Sequence, residues 1–371
     1  MQHALIAAPF MDGHLLLRPG QHNGLRLGAA RFKELADAHP NTPVPQWATD
    51  AVRQAWGLDL ADRRIGQSIL VRKSSPYGYV RASYEINLGC NYDCEFCYLG
   101  EKRFEGMSWE QQKQLLGIMA DAGVVYLQIT GGEALIDRRF PQVYAYAYDL
   151  GMMMQVSTNG SRLHSEMIQD LFRGRPPYRL TISVYGATEA TYDAITKRRG
   201  SFKRFIRGLD AAREAGLPMR MNVVVAKENQ QEVAEMEALA EKYGPHSVYG
   251  NMSPTIGGDG SVLATQSIRY EKARRVFKGC NAGHTFFHVD PFGQASICKI
   301  GRDPQIDLMT EGVEGLRRLG GIADSLMLRT GGCSGCALSG TCRTCRPLAK
   351  LYQEAKAPLV SYCQHTERNN A

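Results

Sequence analysis

Residues 84–99 read YEINLGCNYDCEFCYL. Tyr84–Leu88 has the apolar, β-forming character of a short strand. Three cysteines follow it, Cys90, Cys94 and Cys97, spaced C-x3-C-x2-C. The thiols therefore sit on the loop after a strand, where α/β folds gather functional groups at the carboxyl ends of parallel strands. Strand and helix signals alternate downstream. Helical Ser108–Ala122 precedes strand Val125–Thr130, and helical Phe140–Asp149 precedes Met153–Thr158. Glu166–Phe172 precedes Arg179–Val184, Phe202–Ala215 precedes Met219–Val225, and Gln230–Tyr243 precedes a last strand near Ser247–Met252. Six such units in sequence predict a partial (β/α)6 barrel rather than a closed one of eight.

The thiol arithmetic limits what the loop can hold. Three cysteines cannot pair among themselves, and structural zinc takes four ligands, commonly as two C-x2-C pairs. Three thiolates on an iron–sulfur cubane leave one iron open, which suits a site where something must bind and react. The spacing favours that reading over zinc. Polar or glycine-rich loops end the next strands: Gly131–Leu135 (GGEAL), Ser157–Gly160 (STNG) and Ser183–Gly186 (SVYG). Any one of them could be a plain turn. Four on successive strands, counting the cysteine loop, would face one cavity.

The whole chain has 371 residues, ten of them cysteine, with 22% charged and 44% hydrophobic residues and a formal charge of +7. This is the make-up of a globular protein with room for two or three domains. No apolar run approaches a membrane span, and MQHALIAAPFMDGHLLL lacks the basic start and apolar core of a secretory signal, so we expect a cytoplasmic protein without a membrane partner. Ten cysteines in a reducing compartment point to metal or redox chemistry rather than disulfides. The basic residues are dispersed, without interleaved aromatics, so no nucleic-acid partner is expected; Lys197-Arg198-Arg199 reads as a solvated helix end.

Cys90-x3-Cys94-x-Phe96-Cys97 followed by Gly131-Gly132-Glu133 resembles the radical S-adenosylmethionine (SAM) enzymes over roughly residues 80–256. The resemblance implies a [4Fe–4S] cluster on the three thiolates, SAM chelating the open iron, and a 5′-deoxyadenosyl radical that takes a hydrogen atom from substrate. It implies SAM contacts at Phe96, Gly131, Gly132, Glu133, Ser157, Asn159, Ser183 and Val224, with Glu133 accepting from the SAM ammonium. Arg198 is the candidate for the SAM carboxylate. Ala134 stands where the family usually has Pro.

The other seven cysteines lie in the last third of the chain. Cys280, then Gly293-x4-Cys298, then Cys333, Cys336, Cys342, Cys345 and Cys363 resemble the SPASM domain that follows many radical SAM cores, here over 257–371. A zinc ribbon on Cys333, Cys336, Cys342 and Cys345 is the alternative, but it leaves three cysteines without a role. The resemblance implies a distal auxiliary cluster on Cys333, Cys336, Cys342 and Cys363, and a nearer one on Cys280, Cys298 and Cys345. The short spacing from Cys342 to Cys345, x2 rather than x3, is a departure from the pattern. The fourth position of the nearer cluster is open to substrate or to His284 or His288, though an ordinary role for both histidines is favoured. Ten thiolates and three cluster cores bring the charge from +7 to about +3, so it is a poor guide to partners.

By the same resemblance the expected activity is oxidative maturation of a ribosomally made precursor peptide carrying a leader, most of all by cross-linking, with an external donor such as flavodoxin or ferredoxin. Oxidation of a small molecule or of a folded sulfatase is the runner-up. Sulfatase-maturing enzymes typically carry an Asp base after the G-x4-C cysteine, and here the residue is Lys299. An iron–sulfur scaffold without turnover is the rival from another class, and the Gly131-Gly132-Glu133 loop argues against it. Residues 1–79 are expected to be a small α+β segment: a hairpin of His14–Leu17 and Gly24–Leu27, then helix Ala29–Ala38. That segment is read either as a leader-binding element or as a cap on the barrel. Tyr185, Tyr249 and His246 are candidates to face the cavity, with core packing an equal alternative.

Overall fold

The computed structural model describes residues 3–100, 102–256, 260–270, 280–326, 336 and 345–363. The N-terminal residues build a four-stranded sheet of β1 (Leu5–Phe10), β2 (Gly13–Leu17), β3 (Leu25–Leu27) and β4 (Ile69–Val71), ordered β3-β2-β1-β4. The expected hairpin forms, with Leu15 opposite Arg26, and helix Ala29–Asp37 follows it. Strand β1 escaped the sequence reading because its pattern does not alternate. Leu5, Ile6, Ala7 and Ala8 are all fully buried. Leu5 and Ala7 pack beneath Phe32, Leu35, Ala48 and Val52, while Ile6 and Ala8 face Val125 and Met153 of the second sheet. A strand covered on both faces reads as a continuous apolar run.

The second sheet positions the site. Strands β5 (Arg81–Glu85), β6 (Tyr126–Thr130), β7 (Met153–Thr158), β8 (Arg179–Val184), β9 (Met219–Val224) and β10 (His246–Tyr249) lie side by side in chain order. All five pairings among them are parallel. These are the six expected strands, with ends shifted by up to three residues. Strand residues alternate: Leu180, Ile182 and Val184 are buried under the helices, and Arg179, Thr181 and Ser183 face inward.

The helices form the outer layer. Ser108 caps helix Trp109–Asp121 through a reciprocal pair: Gln111 N donates to Ser108 Oγ at 3.3 Å, and Ser108 N donates to Gln111 Oε1 at 2.9 Å. Between β8 and β9 stands a helix the sequence reading missed, Glu189–Thr196, ahead of Ser201–Glu214. It is short and is closed by Lys197 in the left-handed conformation, with φ of 50°. The expected helix Gln230–Tyr243 divides into a 3-10 turn, Lys227–Glu232, and helix Val233–Glu241.

Beyond residue 256 the chain rejoins the same sheet. Strand β11 (Phe286–Val289) pairs parallel with β5, placing Phe287 opposite Ala82. Strands β12 (Gln294–Ser296) and β13 (Ile306–Asp307) continue antiparallel, giving nine strands ordered β10-β9-β8-β7-β6-β5-β11-β12-β13. The cysteine-bearing turn after β12 is thereby brought beside the loop after β5. Helix Arg346–Glu354 packs near it: a Cβ on Gly301 would lie 3.0 Å from the Pro347 ring.

Candidate active site

Strand β5 ends at Glu85, and the chain enters the loop that carries Cys90, Cys94 and Cys97. The loop is pinned from several directions. Asp93 N donates to Thr196 O at 2.9 Å, at the end of the helix that follows β8. Lys102 donates to Tyr92 O at 2.5 Å and pairs with Asp93. Lys197 pairs with Glu95 at 2.7 Å. Tyr92 N points at Cys90 Sγ, 3.4 Å away. All three thiols are free and border one cavity of about 590 Å³.

The glycines of the next loop serve the cysteine loop directly. Gly132 N donates to Asn87 O at 3.1 Å and Glu133 N to Gly89 O at 2.8 Å. A Cβ on Gly131 would lie 2.3 Å from Asn87 O, and one on Gly132 2.2 Å from Gly89 O. Gly131 also holds φ at 147°, which side chains disfavour. The two glycines line the cavity as expected, but the close approach that forbids a side chain is to backbone.

Glu133 departs from its expected place. It is buried behind the cavity wall, and its carboxylate accepts from Leu135 N at 3.0 Å, Thr158 Oγ1 at 2.6 Å and Asn159 N at 2.6 Å. It thus clamps the loop after β6 to the loop after β7. Burial raises its carboxyl, and these three donors oppose that rise. Asn159 passes the clamp on, donating from Nδ2 to Asn91 Oδ1 at 2.9 Å inside the cysteine loop. Ala134, in place of the family's Pro, opens a 3-10 turn and is fully buried.

Phe96, Ser157, Asn159, Ser183 and Val224 all line the cavity. Phe96 leans on Tyr185 at 5.4 Å between ring centres and packs with Val224. Tyr185 and Tyr249 line it too; His246 faces Glu237 at 3.3 Å instead. Arg198 does not reach the cavity. It is exposed in the turn whose ends Asp193 ties together, accepting from Ser201 Oγ at 2.7 Å and Phe202 N at 3.0 Å. The basic residues in the wall are Lys102, Arg179, Arg220 and Lys299. The arginines were missed in sequence, although Arg179-x-Thr181-x-Ser183 and Arg220-x-Asn222 carry a readable signal: polar residues at a period of two inside apolar strands.

Lys299 marks where the C-terminal cysteines meet the cavity. It directly follows Cys298, and its Nζ sits 5.0 Å from the centre of the Tyr98 ring. It remains solvent-accessible because it projects into the cavity, yet protein surrounds it and burial lowers its ammonium. Behind it lies a buried network. Arg302 donates to Glu85 Oε1 at 2.8 Å, His288 Nε2 is 3.5 Å from Glu85 Oε2, and His288 Nδ1 is 2.8 Å from Ser83 Oγ. Burial would raise the Glu85 carboxyl, but His288 and Arg302 outweigh it and hold it down to about 2. Burial also pushes His288 down, so the lasting countercharge is the Arg302 guanidinium. Both ring nitrogens of His288 thus face Ser83 and Glu85, and His284 Nε2 faces Asp324 at 3.1 Å. His288 Nδ1 thus has Ser83 as its partner, while Nε2 is buried without a hydrogen bond, at ion-pair distance from Glu85.

The residues fit a cluster on the β5 loop. Burial pushes the Cys90 thiol up to about 11 and raises Cys94 further, so thiolates there call for a compensating cationic core. Among the described residues no three His, Cys, Asp or Glu side chains converge as on a single ion, while the three thiols surround open space. In the C-terminal part, Ala282 N points at Cys280 Sγ at 3.4 Å, and Gly301 N at Cys298 Sγ at 3.1 Å. Cys345 precedes the helix whose Pro347 meets Gly301. Cys336 and Cys363 are half-buried; Cys333 and Cys342 lie outside the described residues.

The family model of the Radical SAM superfamily matches residues 84–240, so the sheet from β5 to β9, with its cysteine loop, is a radical SAM domain. Such a domain takes a [4Fe–4S] cluster and SAM. Among curated relatives, the chain is 28% identical over 170 residues to the AdoMet-dependent heme synthase of Methanosarcina barkeri, covering 44% of this chain and 47% of that protein. It is 28% identical over 239 residues to the mycofactocin maturase MftC of Mycobacterium tuberculosis, covering 59% and 60%. The chain spans about half the length of the curated relatives it matches. Over almost its full length it shares the fold of Streptococcus suis SuiB bound to the precursor peptide SuiA, with a TM-score of 0.59, 15% identity, and coverage of 92% of this chain and 93% of that one. No helix among the described residues is long and apolar enough to cross a membrane.

Proposed function

We propose that this protein is a radical SAM peptide maturase that oxidises a ribosomally made precursor peptide, forming a cross-link. The observation that carries this reading is the single cavity bordered on one side by Cys90, Cys94 and Cys97 and on the other by Lys299, next to Cys298. Cluster and SAM, when bound, supply a radical able to abstract hydrogen. In this reading Cys90, Cys94 and Cys97 hold that cluster, and Phe96, Ser157, Asn159, Ser183 and Val224 position SAM against it. Cys280, Cys298 and Cys345 form the nearer auxiliary set, and Cys333, Cys336, Cys342 and Cys363 the distal one.

A substrate that loses one hydrogen atom and then one electron and one proton is oxidised by two electrons. The nearer set of cysteines, of which Cys298 is next to the cavity-lining Lys299, suits acceptance of that electron; an external donor such as flavodoxin or ferredoxin would supply the starting one. The N-terminal sheet suits leader recognition: among the described residues β3 is an edge strand of it, the kind of place where a strand adds. The heme synthase similarity keeps oxidation of a small molecule as the second reading. The sulfatase version of it is disfavoured, because the cavity offers the cation Lys299 where an acid would act as base.

The test is anaerobic co-expression with a short peptide encoded beside the gene, followed by mass measurement. Loss of two hydrogens that requires Cys90, Cys94 and Cys97, with a new linkage in tandem spectra, is the expected result. A peptide that keeps its mass, while the enzyme still cleaves SAM, contradicts the peptide reading.

A further inference from the structure

The inner wall of the barrel changes character from one end of the strands to the other. Ser157, Ser183 and Val224 lie at the carboxyl end, level with the cysteine loop. Arg179 precedes Ser183 by four residues on β8, which sets it about 13 Å lower along the strand. Arg220 lies on β9 beside Thr181, about 7 Å above Arg179 and below Ser183. Both arginines belong to the wall of the same cavity, together with Gln128, Gln155 and Asn222.

This floor carries charge that the protein leaves unmatched. Among the described residues that line the cavity there is no Asp or Glu. Lys102 has Asp93 as its partner, and Lys299 stands in front of Glu85. The two arginines instead bond hydroxyls: Arg179 donates to Tyr178 Oη at 2.9 Å and Arg220 to Ser247 Oγ at 2.8 Å. Two further atoms are buried without a partner, the donor Nε of Arg179 and the acceptor Oδ1 of Asn222. A buried unmatched donor such as Arg179 Nε costs stability unless something supplies its acceptor; Asn222, level with Ser183, lies nearer the cysteine loop. The cofactors bring no net negative charge to these arginines: a [4Fe–4S]2+ core on three thiolates and SAM carry about one negative and one positive charge.

We propose that this floor binds a carboxylate of the substrate, with Arg179 and Arg220 as the anion-binding pair. The inference rests on the peptide reading above and narrows it to a segment bearing an acidic side chain or a free C-terminus. Guanidinium groups suit this because they bind carboxylates through charge-assisted, often paired hydrogen bonds. The floor also lies near the N-terminal sheet. The N-terminal sheet packs Ile6, Ala8 and Leu17 against Val125 and Met153, with Tyr126 and Tyr178 alongside. Tyr178, the partner of Arg179, is thus next to the element suited to leader binding.

The experiment is calorimetric titration of the anaerobically reconstituted full chain with SAM present. The probes are N-acetyl-glutamate amide, its neutral isostere N-acetyl-glutamine amide, N-acetylglycine and glutarate. N-acetyl-glutamate amide or N-acetylglycine is expected to bind at least about tenfold more tightly than N-acetyl-glutamine amide, since the isostere forgoes the charge-assisted bonds. The tighter of the two identifies a side-chain or a terminal carboxylate. The preference should vanish in the double variant Arg179→Gln, Arg220→Gln and persist in part in Arg179→Lys, which shows that loss of charge rather than of fold is responsible. Equal binding of the glutamate and glutamine probes, or a preference that survives the double variant, overturns the proposal. Glutarate binding as tightly as the capped amino acids supports the carboxylate floor but contradicts the peptide reading on which it was built.

Discussion

A Cβ on Gly132 would meet Gly89 O at 2.2 Å, closer than any real contact, and one on Gly131 would meet Asn87 O at 2.3 Å. Either alanine substitution must push the β6 loop and the cysteine loop apart. Gly131→Ala adds the cost of a φ near 147°. We expect Gly132→Ala to cost about 2–4 kcal/mol and to lower iron per chain, read by unfolding and by iron analysis of protein purified anaerobically. Glu85 gives a pH signature. Its folded pKa, about 2, lies below the ordinary carboxylate value, so its contribution is complete above pH about 4.5 and is lost as pH falls toward 2. Glu85→Gln should therefore flatten the fall in unfolding temperature between pH 5 and 3. A fall as steep as in the parent protein would show that Glu85 does not carry it. The glycines and Glu133 were legible in sequence as a motif, but their roles were not, because what they touch is brought in from another strand.

At the scale of elements, the parallel strands were legible because each pairs an apolar outer face with a loop rich in Gly, Ser or Cys. Helix Glu189–Thr196 was not, being two turns long and held largely by tertiary contacts to Glu232 and the cysteine loop. Strand β1 was hidden by burial on both faces. The cap on helix Trp109–Asp121 offers a clean local test. Ser108→Ala removes one half of a reciprocal cap at an exposed site and should cost about 1 kcal/mol of stability, leaving iron content unchanged. Glu133→Ala acts between elements. It strands Thr158 Oγ1 and the buried amides of Asn159 and Leu135, so a loss of about 2–3 kcal/mol is expected, with weaker SAM binding as the loops after β6 and β7 separate. If SAM binds Glu133→Ala as tightly as the parent protein, the clamp does not shape the site.

For the molecule as a whole, continuity of one sheet is the decisive feature. Sequence spacing marked out two cysteine-rich regions, but not that β11 would pair with β5 and carry the Cys298 turn to the cavity. That pairing joins residues some two hundred positions apart, beyond the reach of any local pattern. It is also what puts Lys299 in the wall of the cavity that Cys90, Cys94 and Cys97 line. The inward arginines tell the same story at smaller size: their alternation was visible, but the lack of an Asp or Glu among the described residues lining their cavity was not. The most direct test of the central claim, that the cysteine loop and cavity form a working radical SAM site, is 5′-deoxyadenosine released from SAM by the anaerobic, chemically reduced protein. The account predicts release by the parent chain and none above background by Cys94→Ala. No release from a parent chain that carries its full complement of iron, or equal release from Cys94→Ala, would contradict it.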